Sequence, residues 1–180
     1  RKNVAVGYRA FAIGPDNAAT SEFGNGPATL LSRNVAIGDS AMAVYTGSSG
    51  VAIGADAMSR AGFVFNNIAI GDSAMGNAST TAADDNVAVG YKSLSQVRNQ
   101  GNTAMGTYAG RRLANTVWNT AIGYHALETD TTGSENTVVG TSAFRQNANG
   151  IRNASLGINT GFWITGSNNT FLGSYAGEGS

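Results

Sequence analysis

The side chains able to do chemistry are few and scattered. His125 is the single histidine among 180 residues, and cysteine is absent. A Ser-His-Asp arrangement or a zinc site built on His and Cys therefore has no material here. His125 follows a recurrent glycine at a position where other copies of the same phrase carry Arg9, Ser40, Lys92 and Ser142. That pattern predicts an exposed, variable residue. Asp39 and Asp72 fill one slot in two copies, and Asp84-Asp85 form a pair. Two acids at a suitable separation are what a glycosidase needs. Equivalent slots in a repeat more often mark solvent-facing turns, so no enzymatic activity is expected. GTYAGRR at Gly106 lacks the Lys-Ser/Thr of a phosphate loop. The Gly- and Asp-rich nonapeptide of calcium-binding rolls is missing too. Neither a metal nor a cofactor is expected.

What positions these residues is a phrase that recurs from end to end: Asn-(Val/Thr)-Ala-aliphatic-Gly, two variable residues, then a small and a larger apolar residue. NVAIGDSAM at Asn34, NVAVGYKSL at Asn86, NTAIGYHAL at Asn119 and NTVVGTSAF at Asn136 are copies. Marker glycines fall at Gly7, Gly38, Gly54, Gly71, Gly90, Gly106, Gly123, Gly140, Gly157 and Gly173, with gaps of 31, 16, 17, 19, 16, 17, 17, 17 and 16. Gly24 is a candidate for a degenerate extra copy inside the long gap. Asn stands four residues before the marker at positions such as Asn102, Asn153 and Asn169, and Gly50 replaces it in one copy. Ten to eleven rungs of 16–17 residues follow from this spacing. A repeat of this kind is a ladder in which each rung contacts mainly its neighbours.

Composition agrees with a ladder. Gly is 25 of 180, about twice the usual share, and charged residues are 12%, about half the usual share. Lys+Arg and Asp+Glu are 11 each, so no basic field exists to attract a phosphate backbone. Nucleic acid is not an expected partner. No apolar run approaches a membrane span, so this segment is not expected to insert in a bilayer. The chain opens at a rung and stops after one, which reads as a fragment cut from a longer fibre: one repeat array over 1–180, with an irregular insertion at 12–33 and a lengthened turn at 76–85.

Each phrase reads as a short strand. In Asn119-Thr120-Ala121-Ile122-Gly123, alternation places Thr120 and Ile122 on one face and Ala121 on the other. The aliphatic face (Val35/Ile37, Val51/Ile53, Ile68/Ile70) is expected to be the buried one. The alanine face is expected to meet another sheet or subunit. The apolar pairs after the glycine, such as Ala41-Met42 and Ala126-Leu127, read as a return strand. Helix is excluded because Gly interrupts every period and no 3.6-residue stripe persists. The fold class is therefore all-β, a parallel β-roll or β-solenoid. At about 4.8 Å per rung the rod is roughly 50 Å long. The recurrent Asn is expected to form a ladder along one turn; turn propensity alone is the alternative.

NVAIG, VAIG and NTAIGYHALETDTTGSENTVVG resemble the head repeats of YadA-like trimeric autotransporter adhesins. They are still more similar to the longer rungs of phage tail fibres of the kind found upstream of endosialidase-type chaperone domains. The resemblance implies a left-handed roll, a homotrimer, and an extracellular place on a virion fibre or a bacterial surface. It implies no particular ligand.

Departures from the repeat are where binding is sought, because insertions in solenoids gather on one face. Phe23 in the 12–33 insertion, Trp118, and Trp163 are the candidate ligand contacts, since an exposed aromatic can stack on a sugar. Packing at the corners is the competing role for them. The expected function is a rigid, adhesive segment of a trimeric fibre that touches a host-surface glycan or protein. The head of a bacterial adhesin is the alternative, and a polysaccharide-degrading spike a third. Thr103, Thr120, Thr137 and Thr170 share a slot but are expected to be buried or half-buried, which argues against an ice-binding array.

Overall fold

The computed structural model describes residues 3–11, 32–45, 47–78, 82–146, 149–163 and 166–177. Ten three-residue strands run in chain order: β1 (Val4–Val6), β2 (Val35–Ile37), β3 (Val51–Ile53), β4 (Ile68–Ile70), β5 (Val87–Val89), β6 (Thr103–Met105), β7 (Thr120–Ile122), β8 (Thr137–Val139), β9 (Ala154–Leu156) and β10 (Thr170–Leu172). They form one parallel sheet in the order β1 to β10, each strand pairing with the next. Register is rung on rung: Ala36 faces Ala52, Ala52 faces Ala69, and Ala104 faces Ala121. The chain is thus an all-β solenoid of about eight turns, with no helix among the described residues. The eleventh marker, Gly24, and most of the 12–33 insertion lie outside the described residues, as do residues 79–81 of the lengthened turn.

The two strand faces are the reverse of expectation. Ala36, Ala52, Ala69, Ala88, Ala104 and Ala121 are wholly buried inside the roll. The β-branched residues point outward, and Ile53, Ile70 and Ile122 each keep about 37% of their surface exposed. The reason is room. A coil of 16–17 residues closes on itself so tightly that a small side chain suits the slot beneath most strands, with Val138 and Phe171 the larger exceptions toward the C-terminal end. The bulky core residues come instead from the far wall, where Met42, Met58, Met75, Leu94, Leu127 and Phe144 are fully buried.

That far wall is not a strand. It is a run of turns in which the second and fourth residues after the marker glycine take left-handed backbone, as at His125 (φ 55°) and Leu127 (φ 49°). The alternation lets successive amides serve opposite neighbours. His125 N donates to Thr107 O of the preceding rung at 3.0 Å, and Leu127 N donates to Ala143 O of the following rung at 2.9 Å. A left-handed non-glycine residue costs roughly 1–2 kcal/mol. Inter-rung hydrogen bonding and burial offset it, and propensity read from the sequence does not register that compensation.

At the marker itself only glycine fits. Gly123 has φ +133°, and a Cβ there would lie 2.5 Å from the Gly140 carbonyl oxygen above it. Core volume is balanced between rungs in the same way. Gly161 leaves space that the Phe144 ring fills, and Gly110 leaves space for Leu94 and Leu113.

Candidate functional site

The Asn column is a ladder, and its bonds run chiefly from side chain to backbone. Oδ1 of each Asn accepts the backbone N–H of the Asn one rung on: Asn119 N to Asn102 Oδ1 at 3.1 Å, Asn136 N to Asn119 at 3.0 Å, Asn153 N to Asn136 at 2.9 Å and Asn169 N to Asn153 at 2.9 Å. Nδ2 donates to a carbonyl in the next turn, as Asn102 to Thr116 O (3.1 Å) and Asn119 to Gly133 O (3.0 Å). Asn34 and Asn86 make the same contacts to Gly47 O and Asn99 O. All are buried. Each amide satisfies backbone groups that the closed roll hides from water.

Outside the strands lies an apolar stripe. Ile37, Ile53, Ile70, Met105, Ile122 and Leu172 stand in one column, all exposed. Beside it, Thr103 and Thr120 are half-buried, whereas Thr137 and Thr170 are exposed. The last two depart from expectation because the face that carries them points outward. Ten strands at about 4.8 Å make the stripe roughly 43 Å long. Near β9 the small Ala154 opens a hollow of about 280 Å³ bordered by Thr137, Leu156, Thr170 and Leu172.

His125 is buried, not exposed. Its Nδ1 lies 2.5 Å from Glu128 Oε2, and Arg145 Nε donates to the same oxygen at 2.9 Å. Arg111 reaches Glu128 Oε1 at 3.1 Å. Burial alone would push the Glu128 carboxyl up, but hydrogen bonds from Arg145 and His125 and the Arg111 charge hold it below its ordinary range. Arg111, Glu128 and Arg145 occupy one slot in three successive rungs, five residues after each marker. Tyr108 stacks on His125 (ring centroids 4.9 Å apart), Tyr91 meets Tyr108 edge-on at 5.3 Å, and Tyr124 meets His125 edge-on at 4.1 Å. This cluster went unforeseen in the sequence. Its signal was there, in the slots after Gly90, Gly106, Gly123 and Gly140, but it shows only when rungs are aligned.

The other acids act as clamps. Asp39 and Asp72 are exposed, and each accepts a hydrogen bond from the next serine. Their slots are two rungs, roughly 10 Å, apart. Asp84 takes the Phe65 amide at 2.8 Å, and Asp85 takes Asn66 Nδ2 at 3.0 Å. Asp130 is fully buried and accepts the Gly133 amide at 2.6 Å. Burial pushes its carboxyl up to about 7, against the pull of the Gly133 and Thr132 amides.

Of the candidate ligand contacts, Phe23 lies outside the described residues. Trp118 is 59% exposed and lies against Gly101, where a Cβ would come within 2.9 Å of its ring. Trp163 is also exposed and packs edge-on against Phe162 at 5.1 Å. Trp118 precedes a strand while Trp163 sits on the far-wall turns two rungs later, so the two do not form one site. Among the described residues no group of three or more His, Cys, Asp or Glu could hold a metal ion, and no helix is long and apolar enough to cross a membrane. The chain matches no family model, no curated protein and no solved structure to which it was compared.

Proposed function

We propose that this chain is a structural and adhesive segment of a trimeric fibre, of the phage tail-fibre kind, held on a virion or a cell surface. The observation that carries the reading is the outward aliphatic stripe of the sheet. A column of Val, Ile and Met roughly 43 Å long is unusual on a surface meant to stay in water. Two further copies of this chain, each bringing the same stripe, would cover it around a three-fold axis. The hydrogen-bonded Asn and glycine columns supply stiffness along the rod. Three identical copies would give avidity to weak contacts. The head of a bacterial trimeric adhesin shares this physics and differs only in what the segment is attached to.

Solution mass by light scattering, with small-angle scattering for shape, tests the reading. A mass of three chains in an elongated particle is expected. A monomer with the aliphatic stripe in water would overturn it.

A further inference from the structure

The flank beside the marker glycines changes character along the rod. In the rungs of β2 to β4 its first two slots hold Asp39, Asp56 and Asp72; in the rungs of β5 to β7 they hold Tyr91, Lys92, Tyr108, Tyr124 and His125. The second half is a connected ladder. The Lys92 ammonium lies 4.9 Å from the centre of the Tyr91 ring, and the Arg111 guanidinium 5.3 Å from that of Tyr108. Lys92, Arg111 and Arg145 lie along this flank with two carboxylates, Glu128, which Arg111 and Arg145 contact, and Asp72, whose charge acts on Lys92. Tyr91 and Tyr124 remain exposed, at 38% and 53%, two rungs apart, with half-buried Thr107 in the slot between them.

We infer that this flank binds an acidic oligosaccharide lying along the rod, with Tyr91 and Tyr124 stacking on sugar rings and Lys92 and Arg145 meeting sugar carboxylates. The inference rests on the adhesive reading above and gives it a ligand class. Tyrosines held at a fixed spacing of roughly 10 Å along a straight axis suit a polymer with a repeat. Their rings offer a broad apolar face with a hydroxyl at the rim, which suits a pyranose that is apolar on one side and polar at its edge. Edge-on packing against Tyr108 and His125 fixes both rings before binding, so little side-chain freedom is lost. Arg145 spends its Nε on Glu128, and its side chain is 39% exposed. Lys92 is half-buried beside Tyr91 and brings a point charge to the same edge.

The test is calorimetric titration of the intact protein with a galacturonic acid tetrasaccharide and with the neutral galactose tetrasaccharide. The acidic sugar is expected to bind and to weaken with added salt, because the contacts to its carboxylates are screened. Tyr91→Ala and Tyr124→Ala are each expected to weaken it about tenfold. Lys92→Gln should reduce binding of the acidic sugar only. Equal binding of the neutral sugar, unchanged affinity in both tyrosine variants, or no binding at all would overturn the inference. Solution mass is read on the same samples. A trimer that binds no sugar sinks the glycan site alone, whereas a monomer sinks the fibre reading by itself.

Discussion

The Tyr45 hydroxyl donates to the Val64 carbonyl at 2.9 Å, in the place where an Asn at position 50 would put its amide. Elsewhere the column Asn makes this bond to a residue 13 to 16 positions on, as Asn102 does to Thr116. Gly50 cannot, and Tyr45 reaches across the core to do so. A Cβ at Gly50 would come within 2.6 Å of the Tyr45 oxygen, so the two solutions exclude each other. Gly50→Asn alone is expected to lower stability by about 1–3 kcal/mol through overpacking. Adding Tyr45→Ala should recover part of that loss, although Tyr45→Ala alone is destabilising. Denaturant unfolding of the two single variants and the double gives the coupling; additivity would mean the residues do not share one role.

Asn119→Ala should be far more costly than a surface change. It removes the acceptor for Asn136 N and the donor to Gly133 O, both buried. Each orphaned buried group costs about 1–3 kcal/mol. Asn119→Asp keeps the acceptor, and its protonated carboxyl can also donate to the Gly133 carbonyl, so it should retain more stability than Asn119→Ala at a pH where the acid is neutral. Equal stability of Asn119→Ala and the parent would reduce the Asn column to turn propensity.

The glycine column makes an ordering prediction. Gly123→Ala places a Cβ 2.5 Å from the Gly140 oxygen, whereas a Cβ at Gly173 meets nothing within 4 Å. Both positions have positive φ, so both substitutions are strained. Only the first also forces two rungs apart. Thermal unfolding should show Gly123→Ala as the more damaging by several kcal/mol.

Asp130 sets a pH dependence. Its carboxyl rises from 3.8 to about 7 in the folded chain, so the folded state binds the proton more tightly than the unfolded state. The stabilisation is complete below about pH 4 and is lost as pH climbs through about 7; three pKa units correspond to about 4 kcal/mol. Glu128 works in the opposite sense: its depressed carboxyl stabilises above its unfolded value and loses that as pH falls through the folded one. Between about pH 5 and pH 7 the Asp130 contribution dominates, so the unfolding midpoint should fall with rising pH over that range and level off above it. Asp130→Asn should flatten that slope. A parent chain equally stable at both ends would contradict it.

How far the fold could be read in advance follows from which residues carry it. The Asn119 to Gly123 phrase and its period suffice for a one-dimensional array of short strands, because glycine and asparagine recur at fixed spacing and leave no helical stripe. Which strand face points inward could not be read from Thr120, Ala121 and Ile122, since alternation separates faces without naming the core. The deciding quantity is the width of a closed coil, and that belongs to the whole turn. Met42 and Leu127 looked like a return strand because their burial is visible in the sequence and their left-handed backbone is not. His125 looked exposed because a single variable slot shows no neighbours, whereas Glu128 and Arg145 reach it only after the rungs are stacked.

That inversion of faces gives the most direct test of assembly. Ile122 and Ala121 are adjacent in β7, yet one faces outward and the other is wholly buried. Ala121→Asp puts a charge into a closed core, and the chain is expected not to fold. Ile122→Asp leaves the coil intact and places charges at the proposed three-fold seam, where like charges from three copies would meet. Its expected outcome is a folded, β-rich single chain, seen as a threefold drop in solution mass with an unchanged circular dichroism spectrum. If Ile122→Asp unfolds the chain as fully as Ala121→Asp does, folding and association are one step, as in obligate oligomers. If it leaves a trimer untouched, the aliphatic stripe is not the seam, and another surface must hold the copies together.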